Sequence, residues 1–227
     1  MARAGSARLL APPDGDVASL ADRAFYSIRE LIVSLELSPG SVINERELTE
    51  RLAIGRTPTR EALRRLAQEK LIEVYPRRGM FVTKVDVRDL ARLSEVRVAL
   101  EPEAARLAAE RGSEDDLLGI RDLLGELVVP SARDERGLID LDERIHRTIY
   151  RCAHNDFLEA TLEEYYALAL RIWLMALHQT GELRAAVYEH RDLLEAIAAG
   201  EGRAAAQIMR DHVLHFETAM RAVLLET

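Results

Sequence analysis

The sequence predicts a mainly α protein: three helices and a β-hairpin first, then an all-helical bundle. Three observations carry that prediction. The 227 residues are 48% hydrophobic with only 12 Gly and 7 Pro, a composition that builds a large core and breaks helices rarely. Apolar residues recur at helical spacing through most of the chain. Two short β-prone runs near residues 71–85, separated by a turn signal, are the one clear strand pattern.

The elements follow in order. Residues 1–19 are small, polar and proline-bearing without a sustained period, and are expected to form a disordered tail. Leu20, Ala24, Ile28, Leu31, Ile32 and Leu35 line one face of a first helix, which Ser38-Pro39-Gly40 should end. Asn44 with Glu47 three residues on resembles a capping box, opening a second helix to about Leu52 before the break at Gly55. Thr57 is expected to cap a third helix with Pro58 at its first position, running to about Glu69. On that helix Thr59, Ala62, Leu63 and Leu66 share one side, and Thr57, Arg60, Glu61 and Arg64 the other. "LIEVY" and "MFVTKV" then read as strands joined by "PRRG", with Gly79 in a positively charged turn. Three helices and such a hairpin make a winged helix-turn-helix, in which the third helix enters the DNA major groove and the hairpin reaches an adjacent minor groove.

Charge supports that use. The chain has a net charge of -8, yet residues 51–84 carry nine Lys or Arg against three acids. A basic island on an acidic chain is the footprint expected of a polyanion site. The lone cysteine, Cys152, cannot form an internal disulfide, and no apolar run is long enough to span a bilayer. A cytoplasmic protein without membrane contact is expected.

The residues from Ile43 to Val82, "INERELTERLAIGRTPTREALRRLAQEKLIEVYPRRGMFV", resemble the DNA-binding domain of GntR-family transcriptional regulators. The resemblance rests on the Arg-Thr-Pro-X-Arg-Glu-Ala-Leu core, the Leu-Ile strand and the Arg-Gly wing. It implies DNA contacts from Arg46, Arg56, Arg60 and Gly79, with Thr57 and Arg64 as further candidates on the same exposed side. Thr59 departs from the small aliphatic residue usual at its position. Its inward place on the helix makes that a packing change.

This winged domain is assigned residues 20–84, followed by a polar joint at 85–89 and a helical domain at 90–227. Breaks at 112–114, 130–137, 180–181 and 200–202 divide the helical domain into six or so helices. From residue 91 onward it has 16 basic and 26 acidic residues, so it is not expected to touch DNA.

Its informative feature is polar residues on apolar stripes. His190 continues Val187, Leu194 and Ile197; His212 lies with Ile208, Phe216, Ala219 and Val223; Asp142 and His146 share a face with Ile139 and Ile149. Buried polar groups need partners, and core hydrogen bonds would supply them. A divalent transition metal such as Zn, Ni or Mn would as well. Arg97 also points inward, following Leu90 and Leu93 towards Leu100 and Ala104, with Glu101 one turn on as its internal partner or a ligand anion as its external one. Trp173 and Arg171 are candidates to line a pocket, the alternatives being core packing and a surface charge; His154, His178 and His215 are assigned to the surface or to a supporting shell.

"LDERIHRTIY", "YEHRDLLEAIAAGEGRAAAQIMRDHVLHF" and "EVRVALEPEAARLAAE" resemble the landmark segments of the FCD effector domain of the FadR subgroup. The resemblance implies a metal held at a cavity floor by Asp142, His146, His190 and His212, although Ile145 stands where an aromatic residue is usual. It also implies a small carboxylate or sugar-acid effector, with Arg97 as the residue that meets the anion. The protein is thus expected to be a homodimeric regulator of a palindromic double-stranded DNA operator, a repressor relieved by its effector, and not an enzyme. Two alternatives stand beside this. One is a constitutive DNA-binding regulator with a structural metal. The other is a helical metalloenzyme, since Glu143 and His146 form half of a di-iron signature whose second half is missing.

Overall fold

The computed structural model describes residues 19–128, 134–176 and 183–225. The expected tail and His178 lie outside the described residues. Nine helices and one hairpin make up the described chain, which divides into two compact units between Asp86 and Val87.

In the first unit α1 (Leu20–Val33) packs on α3 (Arg56–Gln68), with α2 (Glu45–Leu52) against α3. The core is built from Ala24, Ile28 and Ile32 of α1, Leu48 of α2, and Thr59, Ala62, Leu63 and Leu66 of α3. Leu20 and Leu35 are not part of it, because Leu20 is exposed and α1 stops at Val33, short of the Ser-Pro-Gly signal. Asn44 caps α2 as its spacing predicts, its side chain accepting from the Glu47 N–H at 3.2 Å.

The start of α3 differs from expectation. Gly55 is its N-cap, without a side-chain hydrogen bond, and Thr57 lies inside the helix with an exposed side chain. The chain leaves α2 through Ala53 in the left-handed region, so α3 begins two residues before the sequence signal places it. The buried Thr59 hydroxyl donates to the Gly55 carbonyl at 3.0 Å, which satisfies the one polar atom that an aliphatic residue would not bring inside.

Strands β1 (Ile72–Tyr75) and β2 (Gly79–Val82) form the antiparallel hairpin. The extended segment before α2 also pairs with β2: Gly40 donates to Val82, Val82 to Ser41 and Ile43 to Met80, at 2.8, 2.9 and 2.8 Å. Four residues with Gly at one end gave no periodic signal for that pairing.

The second unit contains α4 (Val87–Arg111), α5 (Glu114–Val128), α6 (Glu135–Cys152), α7 (Asp156–Ala176), α8 (Leu183–Ala198) and α9 (Gly202–Leu225). Helix α4 is central, packing most extensively on α9 and also touching α6, α7 and α8. It starts inside the segment read as a joint and continues past Pro102, whose missing N–H the helix tolerates with the ring buried. One break has no counterpart among the expected ones. At Ala153–Asn155 the chain turns through His154 at φ +48°, and Asn155 caps α7 by accepting from the Leu158 N–H at 3.2 Å.

Candidate nucleic-acid interface and histidine centre

On the first unit, Arg56, Thr57, Arg60, Glu61 and Arg64 are exposed along one face of α3, opposite its buried side. The winding of the helix makes this separation, as the apolar spacing predicts. Arg46 and Arg60 each carry an acidic partner at the surface: Arg46 Nε meets Glu50 at 2.8 Å, and Arg60 Nε meets Glu45 across to α2 at 2.7 Å. The wing tip holds Arg77 and Gly79, both with positive φ, and Arg78 lies over the Tyr75 ring. Gly79 has open space around it, so its backbone angle of φ +100° and not crowding is what favours glycine there. Not all of the basic island faces outward for a ligand: Arg65 bonds Asp22 at 2.6 Å and stacks on Phe25, and Arg51 meets Glu36 at 2.5 Å.

In the second unit, α6, α8 and α9 bring His146, His190 and His212 together, with ligand nitrogens all within 4.8 Å of one another. His190 Nδ1 lies 3.1 Å from the Val187 carbonyl, which can only accept, so the proton sits on Nδ1 and the Nε2 lone pair points into the cluster. That Nε2 is 3.1 Å from His146 Nε2. Burial, together with the nearby His212 and His146, pushes the His190 pKa well down, so its ring is neutral at ordinary pH. His212 Nδ1 is buried without a hydrogen-bond partner, Glu189 standing 3.8 Å away. Three clustered imidazoles, one of them with an orphaned nitrogen, have the donor chemistry of a transition-metal centre.

Asp142 is beside this group but outside it. Its carboxylate accepts from the Tyr166 hydroxyl at 2.9 Å and stands 3.7 Å from His190 and 3.9 Å from His146. Tyr166, 24 residues along the chain, gave no sequence signal for this contact. Tyr150 could have been anticipated, because it follows His146 by one turn and its hydroxyl lies 3.1 Å from Nδ1.

A cleft with about 300 Å³ of empty space, part of it open to solvent, lies over the histidines. Its polar lining is Asp142, His146, Tyr166, His212 and Arg97. Arg97 is 3% exposed and binds Glu101 through Nε at 2.5 Å, while its Nη1 has no hydrogen-bond partner. Burial opposes the Arg97 charge, but the Glu101 carboxylate outweighs it, and the guanidinium is held more firmly charged than usual. Trp173 lines the cleft, whereas Arg171 is neither in its lining nor on the surface: it is buried, which lowers its pKa to about 10. His154 and His215 are exposed and paired with Asp116 and Glu189. Glu143 pairs with Arg147 at 3.3 Å and is not among the grouped histidine ligands.

Residues 20–82 match the model of the gntR family of bacterial regulatory proteins, and residues 92–215 match the FCD domain. The chain belongs to the GntR family and carries an FCD domain. As a GntR-family member it is a DNA-binding transcriptional regulator, and the metalloenzyme alternative is set aside. A Streptomyces ambofaciens HTH-type transcriptional regulator from an unstable DNA locus is 32% identical over 83% of this chain and 80% of that one. The galactonate operon transcriptional repressor of Escherichia coli K12 is 30% identical, covering 82% and 90%. Among solved structures, E. coli McbR/YncC shares the fold, with a TM-score of 0.78 over 90% of this chain and 98% of that one at 23% identity. Among the described residues, no helix of this GntR-family chain is long and apolar enough to cross a membrane.

Proposed function

We propose that this regulator is a homodimeric repressor whose grip on a palindromic operator is relieved by a small carboxylate or sugar acid bound over a metal at the histidine centre. In this reading Arg46, Arg56, Thr57, Arg60, Arg64 and Gly79 meet the DNA. The exposed face of α3 and the wing support that assignment. His146, His190 and His212 hold the ion, and Asp142 completes the set by leaving Tyr166. The ion would supply a Lewis-acidic contact for a carboxylate, and the chain's own residues would orient and charge-match it. The observation that carries the reading is Arg97: a buried, firmly charged guanidinium with one nitrogen uncommitted, in the lining of the same cleft as His146 and His212. Repressors among the relatives, one of them of a galactonate operon, support the sign and the acid. Helix α4 carries Arg97 and begins at the boundary with the DNA-binding unit, so a shift in it is a physical route between the sites.

The Glu101 partner of Arg97 favours one second reading, a structural metal with no effector, because the pair already compensates its charge. Thermal unfolding of the full chain separates them, with small carboxylates and sugar acids each tested before and after chelator treatment. The effector reading expects an acid that raises the midpoint only with metal present and loses its effect in His190→Ala. Metal stabilisation with no added effect of any acid supports the structural reading, and no response to chelator overturns both.

A further inference from the structure

Glu101 faces two ways. It lies on α4 one turn beyond Arg97 and is fully buried, with Oε1 accepting from Arg97 Nε at 2.5 Å. Its other oxygen, Oε2, is buried without a hydrogen-bond partner and lies 3.5 Å from Nδ1 of His146 on α6. A buried carboxylate oxygen left unpaired is costly, and the ring nitrogen beside this one belongs to the histidine cluster.

The positions of the ring protons explain why Oε2 is idle in this arrangement. His190 keeps its proton on Nδ1, towards the Val187 carbonyl, so its Nε2 can only accept. The 3.1 Å contact between the two Nε2 atoms therefore needs a proton on Nε2 of His146. With that one proton on the ring, His146 Nδ1 is a lone pair, which the Tyr150 hydroxyl can meet at 3.1 Å and a carboxylate cannot. A neutral imidazole that gives Nε2 to an ion carries its proton on Nδ1 instead. The ring then holds the same number of protons, and Nδ1 has become a donor with the Tyr150 hydroxyl oxygen and Glu101 Oε2 beside it.

We infer that Glu101 is a positioning residue for the histidine centre: Oε2 accepts from Nδ1 of His146 and holds that ring with Nε2 towards the ion, while Oε1 keeps Arg97. This rests on the metal reading above and deepens it. A carboxylate behind an imidazole fixes the ring and strengthens its other nitrogen as a ligand. His190 has a backbone carbonyl in the same place, so the two rings are supported differently, one by a dipole and one by a charge. Arg97 and His146 share one carboxylate, which links the cation of the cleft to the centre without any contact between Arg97 and an ion.

Zinc affinity of the full chain, measured by competition with a chromophoric chelator, tests this with two double variants. Arg97→Met with Glu101→Leu and Arg97→Met with Glu101→Gln each remove the cation together with its anion, so neither strands a buried charge. The Leu variant has no acceptor for Nδ1 and should bind zinc about ten- to a hundredfold more weakly than the wild type. The Gln variant keeps an amide oxygen there and should recover part of that loss. The His146 Nδ1–H proton resonance of the zinc-loaded protein gives a second readout, which a merely structural pair would not move. It should shift upfield in the Leu variant and stay in place in Tyr150→Phe. Wild-type zinc affinity in the Leu variant, an equal loss in both variants, or a resonance that moves only in Tyr150→Phe would overturn the inference and leave the metal reading standing. Failure of the wild type to take up zinc would overturn both.

Discussion

The two units hold positive charge in opposite ways. On the DNA-binding unit Arg46 and Arg60 are 81% and 60% exposed, each resting against an acid at the surface. In the helical unit Arg97 is 3% exposed and its partner Glu101 is fully buried. The chemistry is the same guanidinium–carboxylate pair, but solvent screens the exposed kind strongly and the buried kind far less. A surface pair opens at little cost, so its arginine can exchange a carboxylate for a phosphate or a base edge. A buried pair holds its cation in place whether or not it adds to stability.

The largest test of that contrast is inside the bundle. Glu101→Gln should destabilise the chain by about 3–5 kcal/mol in urea unfolding, because it strands the Arg97 charge. The double replacement Arg97→Met with Glu101→Leu should recover most of that loss; if it does not, the pair contributes more than charge compensation. Next in size is the centre itself. Zinc at a free concentration a hundred times its dissociation constant should add about 2.7 kcal/mol, seen as a raised unfolding midpoint that His190→Ala removes.

On the DNA-binding unit the effects should appear in recognition and leave the fold unchanged. Arg60→Ala is expected to cost about 1–3 kcal/mol of discrimination in competition binding against a scrambled duplex, with unfolding shifted by no more than about 0.5 kcal/mol. A drop in stability as large as the drop in discrimination would mean that the Arg60–Glu45 bridge is structural.

The smallest effect belongs to Asp116, an acid at the rim of the helical unit. Partial burial raises its pKa, but hydrogen bonds from Ser113 and His154 outweigh that and lower it from 3.8 to about 2. Its ionised form therefore stabilises the folded state above pH 4, and that contribution, at most about 1 kcal/mol, disappears as pH falls from about 4 through about 2. Asp116→Asn should flatten that part of the stability profile.

Local chemistry was legible in the residues themselves. Apolar spacing placed Thr59, Ala62, Leu63 and Leu66 inside α3 and its arginines outside, the Asn44 cap was readable, and stripes on α6 and α8 turned Asp142, His146 and His190 inward. These depend on contacts three or four residues apart, which the helix period dictates. The Arg97–Glu101 pair is of the same kind.

Contacts between elements were decided by the tertiary structure. Which side of α9 is buried is one: Met209 and Val213 are inside, whereas His212 and Phe216 are half-buried at its edge, where the cleft opens. The approach of His146 to His190, the diversion of Asp142 to Tyr166, the burial of Arg171 and the Arg60–Glu45 bridge are others. The sequence by itself determined the family, the helices and the set of polar residues sent inward. Only packing decided which of those residues touch, because a helix period specifies the face a side chain occupies and is silent about the helix that face will meet.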